Sequence, residues 1–528
     1  MNHYDVVVVG SGFGGSVAAL RLTEKGYRVL VLEAGARFED HEFAKNSFDL
    51  KRFLFFPKLG MLGIQRIDLL KNVLVMSGAG VGGGSLVYAN TLYRPPKSFY
   101  ESGSWVGLED WEKVLAPHFD TAEKMLGVTE NRFHSDADKV LLQIAKKRDL
   151  EKSFRYTPVG VYFGDAGVEP GTEVADPYFS GLGPNRKTCI NCGECMTGCR
   201  HGAKNTLVKN YLYLAERAGA EIWDLTTVKS ISNRASGVPF ELQLSKTHRR
   251  GASRPSAITA DQVIVAAGAL GTAKLLQKSV ESGKLNGISN RLGHLSRTNS
   301  ESLLGVVADN DRHDFSKGVA ITSSIFPSAD THIESVRYGR GSGFMGLLQS
   351  VLASGKRMQA PTPVRLVGAT LKKLHRLPSF YNLRTWPERT LILLVMQSLD
   401  NSLITYVKKN IFGVKKLTSR QGHGHPNPSW VPLGHSVARD IAEEIGGTAG
   451  AVIGEPFGIP LTAHFIGGAV IGPSAETSVV DRHLKVHGVP GLHIWDGSTL
   501  SANPGVNPSL SITAQAEWAA SHWPQKKS

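Results

Sequence analysis

Hydrophobic positions fall into distinct regimes along the chain. The first is continuous and β-branched: Val6-Val7-Val8-Val9 runs straight into Gly10-Ser11-Gly12-Phe13-Gly14-Gly15. Ser16 to Gly26 then carries apolar residues at Val17, Ala18, Leu20 and Leu22, and Arg28 to Leu32 is a second apolar run that ends in Glu33. Uninterrupted apolar runs bounded by glycine turns predict buried strands, and the segment between them predicts a helix. The regime returns at Val263-Ile264-Val265, followed by a turn at Ala266-Ala267-Gly268 and a helix through Lys274, Leu275 and Leu276. This second unit brings the chain back to a parallel sheet.

From about residue 290 to 455 the pattern becomes short alternating runs, such as Gly318 to Ile325 and Thr390 to Gln397, with a basic stretch from Lys356 to Arg389 between them. Alternation predicts antiparallel strands, here a second sheet facing the first domain. Elsewhere, Trp105 to Met125 and Asn205 to Ala218 read as helical, Glu221 to Ile231 as one strand, and residues 152–186 as irregular. The last 70 residues turn glycine-rich and apolar again, with a terminal helix over Ser511 to Trp523. The fold class is α/β, and α+β overall.

Composition changes this picture little. A chain of 528 residues has room for two domains or more, and 41% hydrophobic with 20% charged residues is an ordinary globular balance. No run of 18 uncharged apolar residues occurs, so no membrane-spanning helix is expected. The first strand begins within five residues of Met1, which makes a cytoplasmic location the expectation. The net charge of +14 favours anionic partners, but no nucleic-acid module is visible, so nucleic acid is not an expected partner. Residues 45–72 are basic and greasy around Phe53-Leu54-Phe55-Phe56-Pro57-Lys58-Leu59. They read either as a packed excursion or as a lid that makes peripheral contact with a membrane or an apolar ligand.

The opening unit also carries candidate chemistry. Strand, G-x-G-x-x-G turn, helix, strand and acid make up the dinucleotide-binding arrangement. The glycines let backbone approach a pyrophosphate seated on the helix N-terminus. Glu33 stands 23 residues after Gly10, where it can accept a hydrogen bond from a ribose hydroxyl. The motif alone does not separate FAD from NAD. The run Gly78-Ala79-Gly80-Val81-Gly82-Gly83-Gly84-Ser85 also suits close approach of backbone to a flat or charged ligand.

All four cysteines fall within eleven residues, as Cys189, Cys192, Cys195 and Cys199. Their C-x2-C-x2-C-x3-C spacing is that of a ferredoxin-like iron–sulfur run, such as one holding a [4Fe–4S] cluster. Arg200 stands where such runs usually carry proline, and the chain has no second set of cysteines. Tetrathiolate zinc, and local disulfides without metal, are the other readings.

Several separated motifs together resemble the glucose–methanol–choline (GMC) flavin oxidoreductases, and within them the actinobacterial cholesterol-oxidase-like proteins. The matching pieces are Gly10 to Gly15 with Glu33, Gly78 to Ser85, Val263 to Leu276, Ala463-His464-Phe465-Ile466-Gly467-Gly468, Trp495-Asp496-Gly497 and Gly505-Val506-Asn507-Pro508. The resemblance implies FAD as the nucleotide. It implies that Ser11, Gly12, Phe13 and Gly14 cradle the pyrophosphate, that Glu33 and Ala34 meet the adenosine ribose, and that Val228 clamps adenine through its backbone. It places Gly78, Gly80, Gly83 and Ser85 along the isoalloxazine. Ala267, Gly268, Asp496, Gly497 and Pro508 complete the cofactor site, and His464 and Asn507 face the substrate hydroxyl over the flavin. The family's isomerising glutamate has no counterpart in Gly341-Ser342-Gly343-Phe344-Met345; Glu334 could substitute only if the fold brings it in. Tyr88-Ala89-Asn90 also departs from the family pattern.

The implied organisation is a discontinuous, Rossmann-like FAD-binding domain over residues 1–45, 73–95, 187–290 and 456–528. A substrate domain with its lid excursions takes residues 46–72, 96–186 and 291–455. The implied function is oxidation of the 3-hydroxyl of a sterol or steroid to the ketone, with hydride passing to flavin N5 and His464 and Asn507 positioning the alcohol. Electrons then go to oxygen, or through a cluster to an acceptor protein. The alternatives are a flavoprotein that only isomerises a steroid ketone, and an electron-transfer flavo-iron–sulfur protein.

Overall fold

The computed structural model describes residues 2–233, 240–353, 362–409, 413 and 415–527. The strand His3–Val9 lies inside a seven-stranded sheet, parallel to Val29–Leu32 on one side and to Ala257–Val265 on the other. Glu221–Trp223 extends the edge beside Val29–Leu32, and Leu492–Ile494 joins Val263–Val265, both in parallel. Val6, Val7 and Val8 are fully buried because helices cover the sheet, as continuous apolar strands require.

The helix Phe13–Glu24 starts directly from the glycine turn, three residues before the position the apolar spacing predicts. Its outer face meets the C-terminal helix Ser509–Ser521, where Glu517 accepts from Arg21 at 2.9 Å and from the Tyr211 hydroxyl at 2.6 Å. The two ends of the chain therefore build one domain.

Two expectations on the nucleotide side need correction. Glu221 to Ile231 is two strands, because the chain turns at Leu225 with a left-handed φ of 46°. The Leu225 N–H donates to Gly35 O and the Thr226 N–H to Glu33 O, which lays Thr226–Ser232 over the end of the strand that carries Glu33. Asn205 and Thr206 lie outside the helix, which begins at Tyr211 after a short 3-10 turn. The Asn205 amide is used instead to hold the carbonyls of Leu126 and Gly127.

The second sheet has seven strands, all antiparallel, in the spatial order Gln349–Val351, Gly447–Val452, Ser302–Ala308, Thr390–Gln397, Thr331–Val336, Ile321–Ser328 and Arg155–Tyr156. Alternation sorts its faces. Leu304, Val306, Ile333, Leu393 and Val395 pack under the helices Asp136–Lys147 and Pro432–Glu444. Val336, Ile392 and Leu394 face the other way, into the space between the sheets.

Residues 45–72 are partly a packed excursion: Phe53 and Ile64 are buried, and Gln65–Leu69 pairs with Leu74–Gly78. The hairpin of Phe55–Phe56 with Met61–Leu62 leaves Phe56 and Leu59 exposed. Residues 356–361 of the basic stretch lie outside the described residues; its remainder forms the helix Pro363–Lys372 and short turns. Among the described residues, no helix is long and apolar enough to cross a membrane.

Candidate active site

A continuous cavity of about 790 Å3 runs from the glycine turn of the first sheet to the inner face of the second. Its nucleotide end fits a dinucleotide. Gly12 precedes the helix with no side-chain cap, so the first-turn N–H groups stay available to a phosphate, and a Cβ placed on Gly12 would meet nothing within 4 Å. Gly14 is the opposite case. Its added Cβ would lie 1.8 Å from the Trp495 carbonyl oxygen, so only glycine lets the helix pass this close to the chain leading to Asp496. Glu33 braces the turn: one oxygen accepts from the Ser11 N–H and hydroxyl at 3.1 and 2.7 Å, the other from the Gly35 N–H at 2.8 Å.

Ser11, Gly12, Phe13, Gly14, Glu33, Ala34, Gly78, Gly83, Val228, Ala267, Gly268, Asp496, Gly497 and Pro508 all line this cavity. Asp496 is buried, accepting from Thr272 at 2.5 Å and from the Ser498 N–H at 2.9 Å. Gly80 and Ser85 do not line the cavity. Ser11 reaches back to the Gly80 carbonyl, while the Ser85 hydroxyl donates to Gly82 O and accepts from the Leu207 N–H, so both residues shape the loop from behind. Tyr88 and Ala89 line the cavity, whereas Asn90 turns away from it with a φ of 68°.

His464 and Asn507 come together at the far end, from two segments on the nucleotide side that face the second sheet. The His464 Nδ1 is in a close hydrogen bond with Glu301, whose other oxygen accepts from the Ala463 N–H at 2.8 Å. Burial alone would lower the His464 pKa, but the Glu301 carboxylate, helped by Glu334, outweighs it and holds the imidazole above its ordinary value. With Nδ1 engaged, Nε2 is the nitrogen left to meet a ligand.

Asn507 donates from Nδ2 to Glu334 at 3.2 Å, and its Oδ1 is buried without a partner. Glu334 is fully buried on the strand Thr331–Val336, and burial pushes its pKa up to about 8, against the lowering effects of Asn507 and His464. Sequence reasoning required the fold to bring Glu334 to the site, and the strand register does so. It missed Glu301, which 163 residues separate from its histidine. Glu301 follows two left-handed residues, Asn299 and Ser300, and no local pattern reveals where they point it.

The four cysteines are free thiols, so local disulfides are absent. The tightest ligand group among the described residues is Cys192, Glu194 and His201, within 4.8 Å; no three cysteine sulfurs come that close. A zinc tetrathiolate with bonds of about 2.3 Å needs all four within about 4 Å.

The sequence pattern of the GMC oxidoreductases matches residues 180–293 and 458–516, and that of an NAD(P)-binding Rossmann-like domain matches residues 8–50. A cholesterol oxidase of Mycobacterium tuberculosis is 53% identical over 99% of this chain and 91% of its own length. A cholesterol oxidase of Acinetobacter baumannii is 40% identical over 99% of this chain and 95% of its own. The crystal structure of a pyridoxine 4-oxidase from Mesorbium loti superposes with a TM-score of 0.62 over 98% of this chain and 99% of its own, at 14% identity. A discontinuous nucleotide domain, an antiparallel sheet closing over it, and full-length likeness to these oxidases lead to one assignment: the chain belongs to the GMC oxidoreductase family.

Proposed function

We propose that the protein oxidises the 3-hydroxyl of a sterol to the ketone with FAD as its cofactor. The observation that carries this reading is the His464–Glu301 pair set beside Asn507 at the apolar end of the cavity, in a chain so like two cholesterol oxidases. FAD supplies, when bound, the acceptor for the hydride that leaves the alcohol carbon.

The protein's own part is positioning and proton transfer. Gly12, Gly14 and the uncapped helix would hold the pyrophosphate. Met345, Trp386, Ile392 and Leu394 give the substrate end an apolar wall that suits a sterol skeleton and excludes water. Nε2 of His464 accepts the hydroxyl proton, and Glu301 stabilises the imidazolium that results. Asn507 offers the alcohol a hydrogen bond without competing for its proton. The test is anaerobic addition of cholesterol to the flavin-loaded protein: the flavin absorbance is expected to bleach, with one ketone formed per flavin. Unbleached flavin at saturating sterol sinks the reading.

The Glu334 carboxyl supports a second, redox-neutral step. In a ketone whose double bond lies one carbon away, a base takes a proton from the intervening carbon and returns it at the far end of the double bond. Glu334 adjoins Asn507 and, with a pKa raised to about 8, becomes more fully the carboxylate as pH rises through that value. The Glu334→Gln variant is expected to release the unshifted ketone, at least about 100-fold slower in isomerisation yet still able to bleach. In the wild type, isomerisation should accelerate with pH up to about 8. Shifted product from Glu334→Gln at the normal rate contradicts this role.

Exposed Phe56, Leu59, Val364, Leu371 and Phe457 lie in or near segments that flank the cavity, and the charge of +14 suits an anionic lipid surface. A cytoplasmic protein that meets the membrane peripherally to collect its sterol is the location this reading supports.

A further inference from the structure

We propose that Cys189, Cys192, Cys195 and Cys199 hold an iron–sulfur cluster. All four line one small cavity, together with Glu194, His201 and Lys204. The four are free thiols, and no three of their sulfurs lie within 4.8 Å of one another, too open for a tetrathiolate zinc, whereas four irons with bridging sulfides occupy a wider tetrahedron than a single ion does.

The loop is built to present sulfur. Asn191 and Gly193 take left-handed turns with φ of 55° and 75°, and a Cβ on Gly193 would strike Ser316 O at 2.2 Å. The Gly193 N–H donates to Gly318 O and the Gly318 N–H to Asn191 O, pinning the loop to the substrate domain. The Asn191 N–H points at the Cys189 sulfur at 3.4 Å, and the backbone N–H groups of Glu194 and Ala320 address Cys192 and Cys195. Such N–H to sulfur contacts stabilise cluster thiolates and tune their potential.

Two buried polar groups lack a counterpart that an anionic cluster would provide. Lys204 is 1% exposed, and its Nζ meets the carbonyls of Leu86 and Cys195 at 2.9 and 2.7 Å and the face of Tyr88 at 4.8 Å, with no carboxylate beside it among the described residues. A buried ammonium is costly unless an anion compensates it. The Asn90 amide is fully buried, and the only group it addresses is the Cys195 sulfur.

The site backs onto the active-site cavity. Met196 and Ala89 line that cavity on one side and pack with Cys189, Cys195 and Cys199 on the other. If the sterol reading holds, the cluster is an electron exit. One alcohol oxidised to ketone yields two electrons and two protons. Two molecules of a one-electron carrier protein take the electrons, each reduced once, and the protons go to solvent.

The test is iron and acid-labile sulfide analysis, with electron paramagnetic resonance after dithionite, on flavin-loaded protein purified under nitrogen. Equal iron and sulfide, about two or four of each per chain, is the expected result. Cys189→Ser and Cys195→Ser should lose both while keeping FAD, and retained FAD reports that each variant has folded. Flavin-loaded protein without iron, or with zinc in its place, overturns the proposal. Anaerobic cholesterol bleaching of the same sample separates the two readings. Iron without bleaching leaves the cluster and sinks the sterol; bleaching without iron does the reverse.

Discussion

Replacing His464 by alanine is expected to slow cholesterol-driven flavin reduction by about 100- to 10,000-fold while FAD content stays unchanged. The size follows from what is lost: the only imidazole lining the described cavity, and with it the acceptor for the hydroxyl proton. Glu301 should act through the histidine. Its carboxylate is the chief influence raising the His464 pKa, so the reaction, which needs neutral imidazole, should fall on the acid side as pH drops through a value above the ordinary 6.5. In Glu301→Gln that acid limb should move to lower pH, because the raising charge is gone. The rate above the limb should also fall, because the imidazolium formed in the reaction loses its stabilising partner. Stopped-flow reduction across pH checks both. A His464→Ala rate within about threefold of the wild type, or an acid limb that Glu301→Gln leaves in place, contradicts the assignment.

The second large effect separates two glycines of one turn, Gly12 at a fixed position of the G-x-G-x-x-G spacing and Gly14 at a free one. Gly12→Ala should fold and melt like the wild-type apoprotein, since its new methyl meets nothing within 4 Å, yet retain little FAD, since that methyl occupies the space proposed for the pyrophosphate. Gly14→Ala should lose stability as well, by about 1–3 kcal/mol, because its methyl overlaps the Trp495 carbonyl oxygen and backbone must move. The flavin-to-protein absorbance ratio and a thermal melt decide it. Full FAD loading of Gly12→Ala overturns the cradle.

The difference between these glycines shows what the sequence makes legible. The strand, turn and helix from His3 to Glu24 are contiguous and carry their own apolar and glycine pattern, so local sequence predicts them although their partners Ala257–Val265 and Ser509–Ser521 lie far along the chain. The continuous apolar run over Thr390–Gln397 likewise announces a strand, and the strand is buried on both faces. The active site is assembled across the chain instead. Glu334 reaches Asn507 across 173 residues because of sheet register, and no local signal encodes that. Glu301 depends on two left-handed residues, Asn299 and Ser300, and the break at Leu225 on one more; asparagine favours φ above zero, but Ser300 and Leu225 give no warning of it. Gly80 and Ser85 sit in the right loop yet look away from the cavity. A motif names the loop, whereas the hydrogen bonds of Ser11 and Leu207 decide which of its atoms face inward.

Leu492–Ile494 and the helix Ser509–Ser521 complete a sheet begun at His3. During synthesis, the edge at Val263–Val265 must therefore wait about 229 residues for its partner strand. At about 5–20 residues per second the exposed edge lasts roughly 10–45 s, long enough to invite wrong pairing. A chain cut short of Ile494 lacks Asp496, Gly497, Asn507 and Pro508 of the cavity lining, so the complete cofactor site can form only after those residues emerge. Slower translation, or a chaperone that shields the growing chain, should accordingly govern the yield of flavin-loaded protein more than flavin supply does.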